Sequence, residues 1–104
     1  MSTIIIKKLD LDSYNEILTQ YKEKIFVNHH AYFRLSEAQR KIYKDSELIQ
    51  ILVNEKPALF GLQQNNRYTT LFSRKEGYFR ISFNISKLNI EIVTFYQVDH
   101  LPKI

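Results

Sequence analysis

The residues best suited to chemistry crowd into one stretch, IFVNHHAYFRLSEAQRKI, from Ile25 to Ile42. It carries His29 and His30, two of the chain's three histidines, followed by Arg34 and Arg40. Imidazole, with an unperturbed pKa of about 6.5, takes up or gives away a proton near neutrality. Arginine's planar fork grips two phosphate oxygens at once. Together these types suit cleavage of RNA without a metal, which needs a base for the 2'-OH, an acid for the leaving 5'-oxygen and cations for the phosphorane oxygens. His30 is the candidate base, with Arg34 and Arg40 on phosphate. A later run, YFRISFN, adds Arg80, with Ser82 and Asn84 as further donors on the same polar face. The aromatic run reads first as core and rim, although Tyr78 beside Arg80 could stack on a base, and Thr94 joins if the last strand turns its polar positions to the same cleft.

Each of these residues also has a plain structural reading. A histidine at a helix start serves as a cap or a packing residue, and His29 points away from His30 if the preceding strand continues that far. Arg34 and Arg40 are also what a solvated helix face looks like, and Ser82 and Asn84 what the outer face of an antiparallel sheet looks like. His100 reads as incidental in a C-terminal tail. Other chemistries find no footing: there is no glycine-rich phosphate loop, no HExxH and no cysteine. Adjacent histidines lack the i, i+4 spacing that sets two metal ligands on one helical face. Most carboxylates fall at expected helix starts, where the macrodipole accounts for them. No metal or cofactor is expected.

The elements that must position these residues follow from periodicity. Leu11 to Lys24 has Tyr14, Ile17, Leu18 and Tyr21 on one stripe behind the potential caps Asp12 and Ser13, which predicts a helix. Residues 1–10 form an arm or a short strand. Ile25 to Val27 should be extended. A helix beginning at His29 or His30 would place Ala31, Leu35, Ala38 and Ile42 along one stripe, although Ser36 could start a helix of its own. Asp45 or Ser46 caps the next helix, whose stripe is Leu48, Ile49, Leu52 and Val53, and which ends ahead of Pro57.

After Pro57 the period changes to two. The runs ALFGLQ, RYTTLFS, YFRISFN and IEIVTFYQV are separated by the turn signals NN, RKEG and ISKLN. In the last run Ile90, Ile92, Thr94 and Tyr96 should share one face. The expected fold is α+β: two or three N-terminal helices packed on a four-stranded antiparallel sheet, as a single domain over residues 1–104.

Composition sets the outer bounds. A chain of 104 residues, 44% hydrophobic and 25% charged, matches one ordinary globular domain. The charge of +4 and pI near 9.3 suit a polyanionic partner without amounting to a basic tail. Lack of cysteine fits a reducing cytosol, and three isoleucines before two lysines are too few for a signal peptide or a membrane span. A cytoplasmic protein with no membrane partner is expected.

The segment HAYFRL, Arg40, the helix SELIQILVN and the strand IVTFY together resemble small bacterial domains of the RelE-like toxin and nuclease group, which gathers the barnase-like, EndoU-like and colicin-type ribonucleases. Members of the similar subset carry a His-Ala-x-x-Arg-hydrophobic motif, a following Arg, a helix and a last strand close to Val-Thr-Val-Tyr. The resemblance spans Ile25 to Tyr96. It departs from the pattern in the longer spacing from His30 to Arg40 and in Lys41, where a glycine is common. It implies metal-independent cleavage of tRNA or mRNA, a toxin role and a protein antidote. The other class consistent with the residues is a non-enzymatic binding protein: an immunity protein, a phage-encoded inhibitor or an inactive toxin-fold domain. A sheet edge open to a second copy makes a homodimer a further expectation.

Overall fold

A computed structural model of the chain describes residues 4–33 and 35–103. The chain forms α+β architecture, with helices packed on one face of a six-stranded sheet ordered β1-β3-β4-β5-β6-β2. The strands are β1 Ile5–Leu9, β2 Ile25–Val27, β3 Leu59–Gln63, β4 Tyr68–Ser73, β5 Tyr78–Ile85 and β6 Ile90–Val98. The helices are α1 Leu11–Tyr21, α2 Glu37–Ile42 and α3 Asp45–Asn54, with a 3-10 helix at His29–Tyr32. Among the described residues, no helix is long and apolar enough to cross a membrane.

The expected four-stranded antiparallel sheet is thus corrected to six strands and a mixed sheet. The four central strands are the alternating runs joined by short turns. Both additions sit at the edges. β1 pairs antiparallel with β3, through a bulge between Ile5 and Lys7. β2 pairs in parallel with β6, Ile25 to Ile90 and Val27 to Ile92. Three residues show no period, and a parallel partner far along the chain leaves no turn signal, so this pairing is decided only by packing.

Two turns are fixed by residue type. Asn66, at φ 66°, closes the β3–β4 hairpin, and Gly77, at φ 91°, the β4–β5 hairpin. A Cβ on Gly77 would also fall 2.3 Å from the Val98 carbonyl oxygen. Gly61 matters for a different reason: a Cβ there would meet the Lys7 carbonyl oxygen at 2.9 Å, so its absence admits β1 to the sheet.

Asp10, and neither Asp12 nor Ser13, caps α1, its carboxylate accepting from the Ser13 N–H at 2.7 Å. α1 and α3 bury Tyr14, Leu18, Leu48 and Leu52 against Phe60, Phe72, Ile81, Phe83, Ile90 and Ile92 of the sheet. The Tyr14 hydroxyl donates to the Leu52 carbonyl at 2.6 Å, so the buried phenol is satisfied and ties the two helices together.

The segment after β2 departs most from expectation. No single helix runs from the histidines to Tyr43. A 3-10 turn comes first, and Ser36 then starts α2 with a capping box: its hydroxyl accepts from Gln39 N–H while the Gln39 side chain accepts from Ser36 N–H. The expected stripe breaks up. Ala31 is buried and Leu35 half-buried, but every residue of α2 is exposed, Ile42 at 63%.

β6 brings a second correction. The register between β5 and β6 shifts between Ser82 and Phe83, because β6 carries one extra residue, Val93. Ile90 and Ile92 therefore face the helices, while Thr94 and Tyr96, paired with Ser82 and Arg80, face the other side. Strict alternation would have put all four together.

Candidate functional site

The site begins where β2 leaves the sheet. Asn28 donates its N–H to the Ile92 carbonyl at 2.9 Å, ending the ladder. Its side chain then holds the turn, accepting from His30 N–H at 3.0 Å and donating to Glu91 Oε2 at 2.9 Å. In a 3-10 helix consecutive residues point roughly a third of a turn apart. His29 and His30 accordingly open onto two different grooves.

His30 lines a groove of about 360 Å³ together with Leu35, Gln39, Thr94, Tyr96 and Gln97. Its exposed imidazole meets the Phe33 ring edge-on, centroids 4.8 Å apart, and makes no side-chain hydrogen bond among the described residues. Thr94 sits opposite Ser82 in the ladder, and Tyr96 opposite Arg80. The Arg80 guanidinium lies over the Tyr96 ring, 5.9 Å from its centroid.

Arg80 is only 5% exposed and belongs to a polar network inside the sheet. Its Nε donates to Thr69 Oγ1 and its Nη2 to Gln63 Oε1, each at 3.0 Å. The Ser82 hydroxyl donates to the same Gln63 oxygen at 2.7 Å and lies 3.1 Å from Thr69 Oγ1. Burial lowers the Arg80 pKa from its ordinary value, and Tyr96 opposes that shift. Ser82 is part of this scaffold, its hydroxyl turned to Gln63 and Thr69.

The opposite side is a groove of about 520 Å³ lined by His29, Tyr32, Phe33, Arg40, Tyr43, Lys44 and Asp45. The Tyr32 hydroxyl donates to Asp45 Oδ1 at 2.5 Å, and His29 Nε2 lies 3.6 Å from Asp45 Oδ2. Burial, and then the hydrogen bond to Asp45, raise the pKa of Tyr32. Arg40 donates from Nε to the Tyr32 carbonyl at 3.0 Å and from Nη2 to the Phe33 carbonyl at 3.4 Å. Those carbonyls end the 3-10 helix, so Arg40 clamps the turn that carries His30.

The residues singled out from sequence are therefore distributed. His30, Thr94 and Tyr96 line one groove, while Arg80, which lies over the Tyr96 ring, is buried in the sheet network with Ser82. Arg40 is on the His29 side. Arg34 lies outside the described residues. Tyr78 packs half-buried against the small apolar cluster of Ile5, Leu59 and Leu71 on the far sheet face. Asn84, half-buried, sits opposite Glu91 near the β2 end. Among the described residues, no three His, Cys, Asp or Glu side chains gather as a metal site would require.

Sequence reasoning missed Tyr96, Gln39, Gln97 and Phe33. The bulge hid Tyr96. Phe33 did carry a signal, being a large aromatic off the expected stripe of Ala31, Leu35, Ala38 and Ile42. No protein-family model, curated protein or solved structure matches the chain, so the reading of this site rests on its own geometry.

Proposed function

We propose that the chain is a small ribonuclease acting on tRNA or mRNA without a metal, with its reaction centre in the His30 groove. The observation that carries this reading is that an exposed imidazole, free of internal hydrogen bonds among the described residues, shares a groove with Thr94 and Tyr96, whose ring carries the buried Arg80 guanidinium. His30 would take the 2'-OH proton and return one to the leaving oxygen. The Thr94 and Tyr96 hydroxyls and the Gln39 and Gln97 amides are donors for phosphate oxygens, and Arg80 lends positive potential from behind Tyr96. Arg40 acts through the backbone of the turn. The resemblance to RelE-like nucleases at His30, Ala31 and Thr94 points the same way, and a toxin role with a protein antidote in a bacterial cytoplasm belongs to the same proposal.

One observation favours a second reading, a protein-binding module: α2 is exposed throughout, with Ile42 at its end and Phe33, 67% exposed, nearby. Incubation with total bacterial RNA in EDTA separates the two. Discrete cleavage by the wild type and none by a folded His30→Ala variant supports the ribonuclease. Intact RNA with both proteins favours the binding module.

A further inference from the structure

We infer that Phe33 is a stacking platform for a nucleobase, and that the groove on the His29 side takes the nucleotide next to the one held at His30, which makes single-stranded RNA the substrate class. This rests on the ribonuclease reading of the His30 groove. Phe33 is the most exposed Phe or Tyr among the described residues, at 67%. It stands between the two grooves, its ring in edge contact with His30 while it also lines the His29 side.

Beyond Phe33 the groove has an aromatic floor, Tyr32 and Tyr43, and a cationic rim, Arg40 and Lys44. Asp45, the one carboxylate among its described lining residues, is engaged by the Tyr32 hydroxyl and faces His29. A flat, anionic ligand matches that chemistry, and the groove is shallow and open, as a base lying on an exposed ring requires. A base lying on Phe33 would sit beside His30 on one side and beside the groove lined by Lys44 on the other. Every base has a π-face, so such a platform tolerates sequence but requires an unpaired strand.

The chain has no tryptophan, so Phe33→Trp introduces a single reporter at the platform. The probe is a 2'-O-methyl RNA hexanucleotide, which lacks the attacking hydroxyl and survives the measurement. Phe33→Trp should bind it within about threefold of wild type, with its fluorescence quenched at saturation, and Phe33→Ala should weaken binding about 10- to 100-fold. A duplex of the same sequence should bind at least about tenfold more weakly. Unchanged Trp fluorescence at saturation, wild-type affinity in a folded Phe33→Ala protein, or equal affinity for the duplex overturns the inference. If His30→Ala alone abolishes cleavage while Phe33→Ala binds normally, the stacking platform falls and the ribonuclease stands. If no oligonucleotide binds and RNA stays intact, both fall.

Discussion

His29 and His30 are neighbours in sequence, yet the grooves they line differ in how their polar groups are satisfied. On the His29 side, Asp45 accepts from Tyr32 and faces His29, and Arg40 holds two backbone carbonyls. On the His30 side, the imidazole meets the Phe33 ring edge-on and makes no side-chain hydrogen bond among the described residues, and Thr94 borders the open space. One side is a brace for the turn and the other presents what the brace positions. A histidine's chemistry thus depends less on its residue type than on which side of a 3-10 helix it leaves from.

The largest effect should come from exchanging the two histidines' fates. His30→Ala should lower RNA cleavage by about 10²- to 10⁴-fold, the worth of a proton-transfer group, whereas His29→Ala, which removes one lining residue of the neighbouring groove, should lower it by about tenfold or less. Rates from a fluorescently labelled oligonucleotide check this, and equal losses in both variants would erase the distinction between the grooves. A smaller effect is expected from the clamp. Arg40→Ala should destabilise the fold by about 1 kcal/mol in urea titration and reduce cleavage through a loosened turn. Arg40→Lys should not restore it, because an ammonium cannot reproduce the two-carbonyl geometry.

The smallest effect tests the brace by pH. Burial raises the pKa of both Tyr32 and Tyr14 above the ordinary 10.0, so the folded state retains phenolic protons that the unfolded state releases. Their stabilisation is fully present below about pH 10 and is lost as pH rises from there toward the folded values. Urea midpoints should hold steady up to that pH and then fall. Tyr32→Phe should make the fall shallower, leaving the share due to Tyr14, and an unaltered slope would show that Tyr32 does not titrate as its contact with Asp45 demands.

The two grooves were legible in the sequence only in part. The alternating runs that became β3 to β6 and the apolar stripes of α1 and α3 could be read because period and turn chemistry are local properties. His30 and Thr94 could be named because their residue types suggest their chemistry. Their meeting could not be read, since it requires Val93 to shift the parity of β6 and Asn28 to turn the chain out of the sheet. Of the two expected helix starts in this segment, the one at Ser36 is the one the chain uses, because a side-chain cap is a local signal. That α2 would then lie exposed was not visible, because burial depends on what the rest of the chain leaves uncovered.

By itself, then, the sequence determined the α+β class, the order of helices before the hairpin-linked strands, and a supply of histidine, arginine and hydroxyl groups. Tertiary structure alone decided how the two edge strands pair, the face on which Thr94 and Tyr96 appear, the burial of Arg80 among Gln63, Thr69 and Ser82, and the separation of Arg40 from His30. The physical reason is range. Propensity and periodicity act over a few residues, while a parallel edge pairing, a bulge and a buried polar network are settled by partners tens of residues away.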